Sequence, residues 1–338
     1  MDRRKKTAII LIALAATFVL LLFLELRWAQ LWLLSPQEVW ESLTGENRNY
    51  RIIVVDLNLT RVLFGMIVGA GLAVAGAVMQ ALFKNPMASP YTLGLSSGAA
   101  LGAALGILFP LSFVPAIASV PILAFVFCLG TMFLVYSIAR VGNQTHMETL
   151  LLAGIAVAAL AQAAVSLLTY IAGESITEIV FWGMGSLTVS LPWVKIPIVL
   201  VLSAVGIFAM LYYAKDLNAM MLGDAHAMDL GIDVKKTRLA LLIASSLVTA
   251  AAVCFVGTIG FVGLVIPHIL RILLGPDNRL LLPMCVLTGG IYLVGCDYLA
   301  HLFAQSLGVM PIGIVTSLIG APYFIYLLRR RKKEVGWV

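Results

Sequence analysis

An all-α integral membrane protein with about ten transmembrane helices is predicted by three features of this 338-residue chain. First, 62% of its residues are hydrophobic and only 11% are charged, with a mean hydropathy of +1.04. A soluble domain is roughly half apolar and a quarter charged, so this composition cannot cover a water-facing surface. Second, apolar runs of the roughly 20 residues that a bilayer span needs follow one another with short connections. They fill residues 1–338 as a single transmembrane domain and leave no length for an aqueous one. Third, basic residues gather between alternate runs: 17 of the 22 Lys and Arg fall on one side when both termini are cytoplasmic. That asymmetry places the chain as a multi-pass protein of the cytoplasmic membrane.

The runs divide as follows. Asp2-Arg3-Arg4-Lys5-Lys6 precedes an apolar stretch from Thr7 to Leu24, with no small-x-small cleavage site before Glu25-Leu26-Arg27, so it reads as an uncleaved first span. The second lies between Arg61 and Lys84. No charge occurs from Asn85 to Ala139, and the prolines at 86, 90, 110, 115 and 121 split this stretch into spans near 91–109 and 117–139. A fifth fits 149–172 and a sixth 192–213. The uncharged run Leu239 to Leu270 divides near Gly257, and the last two spans are about 281–303 and 311–328. Helices are required because a backbone in hydrocarbon must satisfy its own hydrogen bonds, and the runs are too continuous for barrel strands. Gly94, Gly98, Gly102 and Gly106 recur every four residues, which predicts a smooth face where another helix packs closely.

The chemistry the chain lacks is informative. No HExxH helix, GxSxG turn or GxxxxGK[ST] phosphate loop occurs, so no catalytic role and no ATP binding by that route are expected. Any ATP energy must therefore arrive from another subunit, which would bind the ATP and magnesium, and no cofactor or metal is expected in this chain. His146, His226, His268 and His301 are widely spaced, and Cys128, Cys254, Cys285 and Cys296 sit in apolar stretches without metal-ligand spacing. A net charge of +6 arises from cytoplasmic loop clusters rather than from a nucleic-acid-binding surface. Asp297 is the sole carboxylate with long apolar flanks on both sides, and it supports a rival reading as the proton-coupling group of a secondary transporter.

Two polar clusters interrupt the apolar sequence. In Lys84-Asn85-Pro86-Met87-Ala88-Ser89-Pro90 the prolines forbid continuous helix and predict a rigid turn, either a gate or a plain connection. The longest hydrophilic stretch, 215–238, contains Leu222 to Asp233, whose apolar spacing predicts one short amphipathic helix ended by Gly231. Asp224 and Asp229 disfavour an anionic lipid surface, so the helix reads as a docking element for a cytoplasmic protein.

Arg61 to Leu105, with Gly69 to Gln80, Asn85 to Pro90 and Leu93 to Ala99, resembles the FecCD/BtuC-type permeases of ABC importers for iron-siderophores, haem and cobalamin. The resemblance continues through Leu150 to Gly154, Phe181 to Ser186, Leu222 to Gly231, Gly260 to Arg271 and Pro311 to Pro322. It implies a ten-helix subunit that pairs with a second copy or paralogue, with two ATPases below and a substrate-binding protein above. Carried onto this sequence, Leu222, Gly223, Asp224, Ala227, Leu230 and Gly231 become coupling residues. Asn85, Met87, Met147 and Glu148 become the cytoplasmic gate, with Glu148 standing where the family has a small polar residue. The family's Arg-x-Pro-Arg docking element here reads Asn58-Leu59-Thr60-Arg61, a further docking Arg is His301, and an acidic position is Val309. Arg61 and Arg51, with Asn58 and His301, are the implied docking residues for the binding protein. The resulting expectation is inward transport of an iron(III)-siderophore by alternating access, with cobalamin, haem and oxyanions left open.

Overall fold

The computed structural model describes residues 3–29, 32–45, 48–141, 144–145, 147–188, 192–307 and 310–335. His146 and Val309 lie outside the described residues. Among the described residues, seven helices are long and apolar enough to cross a bilayer, and three shorter apolar helices, Leu95–Leu108, Val262–Leu274 and Ile312–Leu327, stand at the remaining expected spans.

Helix α1 (Arg3–Leu26) leads to a two-residue antiparallel pairing of Trp28–Ala29 with Trp32–Leu33 and to the short helix α2 (Pro36–Thr44). The start of α2 follows from its sequence: the Ser35 hydroxyl accepts from Glu38 N, the Glu38 side chain bonds the Ser35 amide, and Pro36 opens the first turn. Short α3 (Arg48–Arg51) and a π-helical segment, Ile52–Leu59, run without a break into α4 (Thr60–Leu82). A turn and the 3₁₀ segment Pro90–Leu93 then lead to α5 (Leu95–Leu108) and α6 (Ala116–Ala139). The second half comprises α7 (Met147–Ile171), α8 (Ile176–Met184), α9 (Pro192–Tyr212), α10 (Ala214–Leu222) and α11 (Asp224–Asp229). It ends with α12 (Val234–Val256), α13 (Val262–Leu274), α14 (Asn278–Leu307) and α15 (Ile312–Val335).

Helix α4 is the centre. Its residues from Gly69 to Leu82 are all buried, and α9, α12, α13 and α14 pack around it. Glycines set these approaches: a Cβ on Gly69 would meet the Gly289 carbonyl, and one on Gly76 would meet the Gly263 backbone. Lipid gives helices no hydrophobic reason to associate, so close backbone packing supplies much of the adhesion. Helix α1, by contrast, is peripheral, with its apolar residues facing outward.

The glycine series on α5 is split between two neighbours. Gly98, Gly102 and Gly106 lie against Thr131, Leu123 and Val120 of α6, whereas Gly94 is the turn residue before α5, with φ +78, and abuts Gly154 and Ala158 of α7. Gly98, Gly102 and Gly106 thus share one face of α5, whereas Gly94 precedes the helix and does not share it. A second difference concerns the expected single helix over Leu222 to Asp233. Gly223, at φ 141, breaks it into the end of α10 and the six-residue α11, and Gly231, at φ 81, lies two residues beyond α11.

Candidate functional site

The chain's polar features collect in three places. The first joins the ends of α1 and α14 to the start of α4. Arg61 Nε and Nη2 donate to the two carboxylate oxygens of Asp297 at 3.0 and 2.7 Å, and Nη1 donates to Thr188 Oγ1. Next to this pair, His301 Nδ1 stands 3.1 Å from Glu25 Oε2, and the Trp28 ring stacks on the imidazole with centroids 5.5 Å apart. Asn58 Nδ2 donates to the Trp28 carbonyl at 2.7 Å. Bringing the C-terminal ends of α1 and α14 together with the N-terminal end of α4 is what the alternating topology requires for a single membrane face.

Arg61, Asn58 and His301 are therefore turned inward, which departs from their expected presentation to an external protein. Asn58 and His301 are buried, and Arg61 is largely buried by its pairing with Asp297. Only Arg51 of the four implied docking residues is exposed. The reason is electrostatic: a carboxylate among apolar helices draws in the nearest cation. Asp297, the residue on which a proton-coupled reading would rest, is thereby held as one half of an ion pair. Glu25 was not singled out in the sequence, although a carboxylate in the last turn of an apolar span is itself a signal.

The second place is the opposite end of the fold. Gly223 starts α11, Ala227 is fully buried beneath it, and the Asp224 carboxylate accepts from Arg238 Nη2 at 2.6 Å. Leu222, Met228 and Leu230 are 76%, 58% and 61% exposed. Helix α10 is tied to the start of α14: Asn218 Nδ2 donates to Asp277 Oδ1 at 2.7 Å, and Asn278 donates to Asn218 Oδ1 through both its amide and its side chain. Donation from Arg279, aided by Asn218, holds the Asp277 carboxyl at about 2, below its ordinary 3.8. The backbone amide of Lys236 likewise lowers Asp233, the N-cap of α12.

At this end lies also the turn after α4. Lys84 adopts φ 49, Asn85 Oδ1 accepts from Met87 N, and Gln80 Nε2 donates to the carbonyls of Pro86 and Leu264. The turn is thus fixed from both sides, with Met87 exposed. Met147 is half-buried and Glu148 exposed at the start of α7. The turn reaches α7 through the 3₁₀ segment, where Gly154 packs on Thr92 and Leu93.

The third place lies within the helical body, where several short elements end together. Ser186 N donates to Val256 O, Ile312 N to Gly185 O, and Thr258 Oγ1 to Gly183 O. Tyr91 Oη donates to Ile259 O. Phe261, at φ 67, lays its ring on Gly320 of α15. A 13-residue helix such as α13 is only about 20 Å long, short of the roughly 30 Å hydrocarbon core. Irregular backbone at such depth is tolerated where protein buries it or a cavity borders it. A cavity of about 310 Å³ does border it, lined by Ser96, Ser97, Gln162, Thr169, Trp182 and Thr258 among others. The break near Gly257 is visible in the sequence; the cavity and its polar lining are not.

Comparison with known proteins accounts for this architecture. Residues 14–330 match the FecCD transport family. The chain is 44% identical over 288 residues to the cobalamin import system permease protein of Halobacterium salinarum, covering 85% of this chain and 76% of that one. It is 38% identical to the hemin transport system permease protein of Yersinia pestis, covering 89% and 90%. A vitamin B12 import permease of Vibrio cholerae is 37% identical over 97% and 95% of the two chains. Among solved structures, a metal-chelate type ABC transporter in an inward-facing conformation superposes with a TM-score of 0.83 at 32% identity, covering 95% of this chain and 99% of that one. The chain belongs to the FecCD transport family and is a multi-pass membrane permease of the ABC importer type.

Proposed function

We propose that this permease carries a macrocyclic metal chelate inward, a corrinoid before a haem, driven by separate cytoplasmic ATPases. The relatives named above are cobalamin and hemin permeases, which favours a macrocycle over the siderophore expected from the sequence. The observation that carries the ATP-driven mechanism is the exposed apolar trio Leu222, Met228 and Leu230 around Gly223 and α11, at the end of the fold opposite Arg61 and Asp297. Exposed apolar residues on an anchored surface fit a protein partner. Motion imposed on α11 by an ATPase passes through the Asp224 and Arg238 pair to α12, and through Asn218 to the start of α14. Asn85 and Met87, with Met147 and Glu148, would form the inner gate.

Drug-sized ligands occupy pockets of about 300–1,000 Å³, so the 310 Å³ cavity is small for a corrinoid. A second copy or paralogue of the chain would complete the pathway, and an external binding protein would deliver the chelate. Reconstitution into proteoliposomes with the cognate ATPase and binding protein tests the reading. ATP-dependent uptake of cobalamin, or more weakly of haem, is expected. Uptake of a ferric siderophore with neither macrocycle transported would overturn it, as would ATP hydrolysis by the purified permease alone.

A further inference from the structure

We propose that Glu25, Asp297 and His301 form a site for one divalent transition-metal ion that pins α1 to α14 beside Arg61. Each residue offers a ligand atom, and these atoms lie within 4.8 Å of one another. The three residues are 0%, 1% and 8% exposed. One imidazole nitrogen and two carboxylate oxygens suit a first-row ion such as zinc, whose bonds of about 2.0–2.2 Å hold neighbouring ligands a little over 3 Å apart. The 3.1 Å separation of His301 Nδ1 and Glu25 Oε2 is already near that spacing.

A second observation points the same way. Neither oxygen of Glu25, nor His301 Nδ1, has a hydrogen-bond partner among the described residues, although all three atoms are buried. A carboxylate in such a place is costly unless something compensates it. The 3.1 Å approach of His301 to Glu25 leaves Glu25 Oε1 with no partner among the described residues, and a shared ion would satisfy the whole cluster.

The surroundings fit outer-shell partners of a metal. Arg61 bonds both oxygens of Asp297, and each oxygen retains a further lone pair for an ion. A hydrogen-bonded ligating carboxylate and an oriented imidazole are the usual supports of a bound metal. Here Arg61 supplies the first and Trp28, stacked at an interplanar angle of 5°, the second. The guanidinium repels a cation, so the ion must be one that binds imidazole strongly, which excludes magnesium and calcium.

Tag-free full-length permease in nanodiscs, stripped with a chelator and titrated with zinc, tests the proposal. One zinc per chain is expected, with a raised melting temperature. Glu25→Gln and His301→Asn should each weaken binding at least tenfold, and Glu148→Gln should leave it unchanged. Copper(II) in the wild-type protein should give an electron paramagnetic resonance signal with coupling to one imidazole nitrogen and quench the Trp28 fluorescence, a readout that requires no variant to fold. Zinc binding that persists undiminished in both variants, or copper coupling to no imidazole, overturns the site. So does the absence of stoichiometric binding, which would leave the cluster as a direct contact between Glu25 and His301.

Discussion

Arg61 and Asp297 are 236 residues apart in sequence, yet two hydrogen bonds of 3.0 and 2.7 Å join them and fasten the start of α4 to α14. This is the same helix pair that meets backbone to backbone at Gly69 and Gly289. The ion pair and the glycine contact therefore act on one crossing, the first fixing its register and the second its closeness. Arg61, expected from the sequence to face an external partner, is engaged here as an internal fastening.

Arg61→Ala is expected to destabilise the protein by about 3–5 kcal/mol, because it leaves a buried carboxylate uncompensated. Replacing both partners, Arg61→Leu with Asp297→Leu, should cost much less. Thermal unfolding in detergent of the wild type, both single variants and the double variant gives the cycle. Additive single effects would show that the pair is not coupled.

Glycine contacts make a second expectation quantitative. Gly76→Val places side-chain atoms into the Gly263 backbone and should cost about 1–3 kcal/mol or more, as overpacking does. Gly130, inside α6, has open space where its Cβ would stand, so Gly130→Ala should change stability by no more than about 1 kcal/mol. Equal melting temperatures for the two variants would remove close packing as the source of adhesion.

Much of this was legible in the sequence because the bilayer imposes a simple code. Charge gaps and proline positions placed the spans, and basic residues fixed the sidedness that the meeting of Glu25, Arg61 and His301 agrees with. What escaped were relationships between distant residues. Asp297 is conspicuous in the sequence, but nothing local identifies Arg61 as its partner. Gly94 sits on the same four-residue spacing as Gly98, and only the turn after Leu93 shows that it precedes the helix. The meeting of Gly185, Thr258 and Ile312 likewise depends on three segments that share no sequence signal.

Acid should loosen the link between α10 and α14. The folded-state pKa of Asp277 is about 2, below its ordinary 3.8, so its contribution is fully present above the ordinary value and is lost as pH falls through about 2. The group is only partly buried at the surface, so solvent screens it and the effect is small. The stability difference between wild type and Asp277→Asn, measured from pH 5 down to 2, should shrink with acidification. A difference that stays constant or grows would mean that Asn218 and Arg279 do not favour the charged form.

The last expectation separates anchoring from contact in the coupling segment. Leu222, Met228 and Leu230 face outward, whereas Ala227 is buried and Asp224 is bound to Arg238. Met228→Glu and Leu230→Glu should therefore leave the permease as stable as the wild type while weakening ATPase association tenfold or more, equivalent to about 1.4 kcal/mol. Asp224→Lys acts differently, since it faces the Arg238 cation with a like charge and releases α11 from α12. It should lower transport-coupled hydrolysis even at ATPase concentrations that saturate binding. Surface plasmon resonance on nanodisc-held permease measures association, and ATPase rates at saturation measure coupling. Unchanged affinity in both Glu variants would exclude the exposed trio as the contact. An Asp224→Lys variant rescued fully by excess ATPase would show that the ion pair serves binding rather than transmission.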